Sequence, residues 1–138
     1  MDLSETQKYH IAKIAQKYSL ELILLFGSRI RNKKFLHRES DFDVAYLSKR
    51  NLDLMEEAKL ICDLMPIFKS DKVDLVNLKR SDPLLMKQVF DNHKVLFCQN
   101  PKIYLLYQIY AMKRFIEAKP LFDLTEESIK HFIKQHGG

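Results

Sequence analysis

Residues 22–47 read LILLFGSRIRNKKFLHRESDFDVAYL, and the order of events in this stretch decides how the rest of the chain is read. An apolar run stops at Gly27 and Ser28, twelve mostly basic or polar residues follow, and Asp41 and Asp43 then open a second apolar run. With Leu20 and Glu21 in front of it, the first run is short and nearly continuous, the pattern of a buried strand. The second alternates, with Asp41, Asp43 and Ala45 on one face and Phe42, Val44 and Tyr46 on the other. It reads as a strand whose acidic end opens on a cleft.

On the N-terminal side, residues 4–7 (SETQ) have capping-box form, and Ile11, Ile14, Ala15 and Tyr18 recur at helical spacing, which predicts an amphipathic helix over 4–18. On the C-terminal side, Leu54, Ala58, Ile61 and Met65 make a helical stripe over 53–65 that Pro66 ends, and KVDLVNL (72–78) predicts a third strand. Pro83 at a first helical position predicts a helix to about Asp91. HKVLFC (93–98) follows as a short edge strand, then a helix after Pro101, then one more short helix with a frayed end. This order describes an α/β (α+β) fold in which a mixed sheet carries helices packed on one face. Residues 1–100 are expected to form the core and 101–138 a helical tail of the same domain.

A chain of 138 residues with 46% hydrophobic content suits one compact domain, and three glycines, four prolines and evenly spread charge exclude a disordered or fibrous protein. Cys62 and Cys98 lie in apolar stretches without metal-ligand spacing and read as reduced core thiols of a cytoplasmic protein. The N-terminus lacks the form of a signal peptide, and no apolar run reaches membrane-spanning length. The net charge of +5 is compatible with nucleic acid, a phosphate-bearing small molecule or an acidic protein surface.

Chemistry enters at the turn. A glycine ending a buried strand lets a ligand approach the backbone, and if Ser28, Arg29 and Ile30 open a helix, their N–H groups and the Ser28 hydroxyl point into one space, a phosphate cradle. The same dipeptide also serves an ordinary capped turn. Asp41 and Asp43, two apart on a strand, point to the same side and repel, and a divalent cation removes that repulsion. Magnesium suits such ligands and keeps positions for phosphate oxygens, whereas two solvated aspartates in a loop are the plain alternative. Asp74, an acid inside KVDLVNL, fits a further metal ligand or the base that takes a proton from an attacking hydroxyl. Of the basic loop residues Arg29, Arg31, Lys33, Lys34, His37 and Arg38, only Arg29 adjoins the cradle. His10, His93, His131 and His136 show no ligand spacing.

Gly27, Ser28, Asp41, Asp43 and Asp74, in this order of elements, resemble the DNA polymerase β-like nucleotidyltransferase superfamily. The short chain is similar to its minimal nucleotidyltransferase branch, although the interval from Ser28 to Asp41 is longer than usual there. The resemblance implies that Gly27 and Ser28 bind the β- and γ-phosphates of ATP, that Asp41 and Asp43 hold Mg2+, and that Asp74 is the third acidic position. It implies transfer of AMP to a hydroxyl with pyrophosphate leaving. The branch includes antitoxins that silence a partner HEPN-domain ribonuclease toxin by adding AMP to one of its tyrosines, and a chain without its own substrate domain fits that role. The expected tail contact is the aromatic face of Tyr104, Tyr107 and Tyr110 with Leu106 and Ile109, which serves equally to pack on the protein's own sheet. Transfer to a small molecule or an RNA end, and a non-catalytic docking module, stand as alternatives.

Overall fold

Capping chemistry sets the first boundary in the computed structural model, which describes residues 3–27 and 41–137. The Ser4 hydroxyl accepts from the Gln7 N–H at 3.2 Å while the Gln7 side-chain carbonyl accepts from the Ser4 N–H at 2.9 Å, opening α1 (Glu5–Tyr18). β1 (Leu20–Phe26) follows, and β2 (Phe42–Ser48) pairs with it antiparallel. Asp53 caps α2 (Leu54–Phe68), which carries the chain across to β3 (Val73–Asn77), parallel to β2. After a 3-10 turn at Leu78–Arg80, Asp82 accepts from the Leu85 N–H to start α3 (Pro83–Asp91). β4 (His93–Cys98) then returns antiparallel to β1, and α4 (Pro101–His136) ends the chain. The strand order is β3-β2-β1-β4, so β4 is an edge strand, in keeping with its sequence.

The mixed α/β class stands, but helices cover both faces of the sheet, not one. On one face Ile11, Ile14 and Tyr18 of α1 and Leu60, Leu64 and Phe68 of α2 bury Ile23, Leu25, Val44 and Tyr46. On the other, Val89 of α3 packs with Leu22, Leu24, Phe26, Ala45 and Leu47, joined at the margin by Ile103, Tyr104 and Tyr107 of α4. The cause lies in β1, where alternate residues on both faces are apolar and both must be covered.

Pro66, expected to stop a helix, lies inside one, and so does Pro120, where the sequence predicts two helices. Pro66 sits within α2, where burial of Ile67 and Phe68 offsets the lost N–H; Phe68 stacks on Phe42 with centroids 4.7 Å apart, and Gln7 Nε2 donates to the Ile67 carbonyl at 3.0 Å. Pro120 lies inside α4, a single helix of 36 residues, about 54 Å long, instead of two shorter ones. The 119–125 stretch is bracketed by a Lys119–Asp123 ion pair at 3.0 Å and a Thr125 hydroxyl donating to the Leu121 carbonyl at 2.9 Å. Cys62 is exposed and Cys98 half-buried, so neither is the core thiol expected. Among the described residues no helix is long and apolar enough to cross a membrane.

One polar cluster ties α1 to α2: the Tyr18 hydroxyl donates to Asp63 Oδ2 at 2.7 Å, and Lys17 Nζ lies 3.0 Å from the same oxygen. Burial alone would push the Asp63 carboxyl up, but the Tyr18 and Lys17 donors prevail and hold it below the ordinary value. A depressed folded pKa contributes stability above the ordinary carboxylate range and loses it as pH falls through the folded value. Tyr18→Phe is expected to cost about 1 kcal/mol at pH 7. The loss should shrink in acid as Asp63 protonates in the parent, which urea unfolding at both pH values checks.

Candidate active site

Register places the acidic residues. Phe26, the last residue of β1, pairs with Asp43 on β2, and Asp43 pairs with Asp74 on β3. Because β2 and β3 run parallel, both aspartates stand near the starts of their strands, beside the end of β1. Phe42 and Val44 are buried on the α1 and α2 side, so alternation turns Asp43 and the preceding Asp41 toward the opposite face. The stacked Phe42–Phe68 pair holds this strand end against α2, and the Phe42 N–H donated to the Lys72 carbonyl at 2.8 Å ties it to the residue before β3.

Gly27 turns the chain immediately after this rung, at φ +89°, a left-handed conformation that L side chains rarely adopt. A Cβ at this position would lie 2.1 Å from Asp43 Oδ2, so the missing side chain is the space the carboxylate occupies. The glycine turn and the first acidic strand are thereby one packing unit.

The charges feel one another. Burial first, then the Asp74 and Asp41 charges, push the half-buried Asp43 carboxyl above its ordinary value. Asp74, exposed at the strand edge, is also raised, by lost hydration and then by the charge and hydrogen bonding of Asp41. Asp43 and Asp74, both raised in proton affinity, together with Asp41 beside them form a hard-oxygen donor set suited to magnesium. Among the described residues no three His, Cys, Asp or Glu side chains form a ready-made metal site. Magnesium commonly keeps waters and substrate phosphate oxygens, so Asp41, Asp43 and Asp74 fit it as a partial set of ligands.

The structure therefore brings Gly27, Asp41, Asp43 and Asp74 together. Ser28 and Arg29, with the rest of the basic loop, lie outside the described residues. Sequence reasoning passes over His93, whose Cα partner is Phe26 and which thus occupies the same rung as Asp43 and Asp74. Its spacing to other histidines carries no signal; only the strand order aligns it. The aromatic face expected on α4 divides: Tyr104 and Tyr107 pack at the margin of the sheet core, whereas Leu106, Ile109 and Tyr110 are exposed.

The sequence profile of the family described as Polymerase beta, Nucleotidyltransferase matches residues 9–102. The chain is also similar to the protein adenylyltransferase MntA of Shewanella oneidensis, 38% identical over 78 residues, which is 56% of this chain and 54% of that protein. That match thus spans about half of the relative's length. Among solved structures, a toxin-antitoxin crystal structure with AMP-PNP superposes with a TM-score of 0.69 at 27% identity, covering 86% of this chain and 98% of its own. A structure of a tri-AMPylated Shewanella oneidensis HEPN toxin in complex with MNT antitoxin gives 0.65 at 25% identity, covering 88% and 98%. With the profile spanning every strand of the sheet and the acidic rung at its edge, this chain belongs to the polymerase beta nucleotidyltransferase family.

Proposed function

We propose that this protein is an antitoxin of the cytoplasm that transfers AMP from ATP, with Mg2+, to a tyrosine hydroxyl of a partner HEPN-domain toxin and so neutralises it. The observation that carries the reading is the placement of Asp41, Asp43 and Asp74 together beside the Gly27 turn. The named activity of the Shewanella relative and the AMPylated toxin of the structural neighbour support the choice of AMP and of a protein acceptor.

In this reading the acceptor oxygen attacks the α-phosphorus of ATP, a new oxygen–phosphorus bond forms, the bond to the β-phosphate bridge breaks, and pyrophosphate leaves. Gly27 admits the triphosphate close to the backbone, and Ser28 and Arg29 receive its β- and γ-phosphates. Asp41 and Asp43, with Asp74 as third ligand, would hold the magnesium, whose charge would offset that developing on the phosphates. Asp74 is also the carboxylate that takes the tyrosine proton as the new bond forms. Residues 101–138 serve as the partner-binding extension. The outer side of α4 carries Leu105, Ile109, Met112 and Ile116, all exposed and spaced four, three and four apart, a stripe that suits a helical partner.

The test is transfer of label from α-phosphate-labelled ATP with magnesium, in cell extract from the source organism. Label entering one protein band is expected, and that band identifies the partner. Label appearing in RNA or in a small molecule instead would redirect the reading to those acceptors. If no fraction is labelled while a protein co-purifies, the chain acts as a docking module.

A further inference from the structure

His93 lies two strands from Asp43 on the same rung, about 10 Å away at the usual strand spacing. Both of its ring nitrogens are engaged. Nδ1 is 3.0 Å from the Phe90 carbonyl, which can only accept, so Nδ1 carries the proton. Nε2 is then left with a lone pair and accepts from the Tyr104 hydroxyl at 2.5 Å. That hydroxyl in turn accepts from Gln108 Nε2 at 3.1 Å. The imidazole is thus held in one tautomer between the end of α3 and the start of α4, while its backbone pairs with Phe26, the residue before the Gly27 turn.

From this geometry we infer that His93 and Tyr104 are positioning residues for nucleotide binding: their hydrogen bond fixes the β4 end against Phe26 and so sets the conformation of the Gly27 turn according to how α4 is seated. The inference rests on the nucleotidyl-transfer reading above. Tyr104 stays protonated and able to donate, because burial raises its hydroxyl above the ordinary value. Packing on either side is suited to transmit the position of α4, with the Tyr104 ring edge-on to His93 at 5.6 Å and near Phe90 at 6.4 Å. The residues next to Tyr104 on the outer side of the same turn, Leu105 and Leu106, are exposed, so contact made there adjoins the relay.

The test compares the full chain with Tyr104→Phe, His93→Asn and His93→Gln, measuring affinity for a magnesium-bound non-hydrolysable ATP analogue and the amide resonances of Phe26 and Gly27. Tyr104→Phe removes one oxygen and should weaken nucleotide affinity about three- to tenfold while moving those two amides. Asparagine can occupy the Nδ1 role but not reach Tyr104, so His93→Asn should match Tyr104→Phe. Glutamine places an acceptor near the Nε2 position, so His93→Gln should stay near the parent. If the parent binds the analogue and Tyr104→Phe binds it equally well, the relay is overturned and the transfer reading survives. Weakened affinity with both amides unmoved, or no rescue by His93→Gln, also overturns it, as a general loosening of the fold. A parent that fails to bind the analogue removes the transfer reading and the relay with it.

Discussion

Asp43→Asn should abolish nucleotidyl transfer and, at the same time, make the magnesium-free protein harder to unfold. The first effect follows from the place of Asp43 at the centre of the acidic rung, between the Gly27 turn and Asp74. An amide keeps the shape but removes the charge that would bind the cation, and a fall of about three orders of magnitude or more is expected. The second effect follows from the raised pKa. A carboxyl whose folded pKa lies above its unfolded value favours folding in acid, and this advantage is lost as pH rises through the folded value. At pH 7 the ionised Asp43 therefore works against the fold, and asparagine relieves it. Urea midpoints without magnesium should be higher for the variant at pH 7, and the difference should narrow or reverse in acid. Added magnesium should stabilise the parent by about 1.4 kcal/mol at ten times its Kd and leave the variant nearly unchanged. Retained transfer, or equal magnesium stabilisation of both proteins, would remove Asp43 from the metal site.

The features of this site that are legible in the sequence are those written in local periodicity. The continuous run of β1, the alternation around Asp41 and Asp43, and the capping box at Ser4 each depend on neighbours within a few residues. All lie where the pattern puts them. Features that depend on which strands become neighbours are not legible. His93 joins the rung only because β4 pairs with β1, a choice made by tertiary packing. The second helical layer escapes a sequence reading because α3 has nine residues and a short apolar stripe, while α4 buries only Ala111 fully, so neither announces a covered face. Pro66 and Pro120 show the limit of a local rule: a proline costs one hydrogen bond, and burial of Ile67 and Phe68 can outweigh it in α2. The pairing of Gly27 with Asp43 is legible as chemistry but not as contact, since nothing in the sequence tells that the carboxylate fills the glycine's side-chain space.

That contact makes Gly27→Ala the second large effect. Two costs fall on one methyl group. The backbone at φ +89° strains an L residue by about 1–2 kcal/mol. The new Cβ would also lie 2.1 Å from Asp43 Oδ2 and 3.0 Å from its Cγ, so the carboxylate must leave the position that the rung gives it. Transfer should fall at least about a hundredfold, because displacement of one catalytic group by about 1 Å has effects of that size. The two costs can be separated by a double-mutant cycle. In an Asp43→Ala background the carboxylate is gone and backbone strain remains with only a 3.2 Å contact to the Cβ of residue 43, so Gly27→Ala should destabilise that background less than it destabilises the parent. Equal destabilisation in both backgrounds would mean that the glycine serves the turn alone. The expected non-additivity would mean that one position both bends the chain and leaves room for the acid beside it. That explains why a glycine at the end of β1 and an aspartate on β2, sixteen residues apart in sequence, act as a single element of the site.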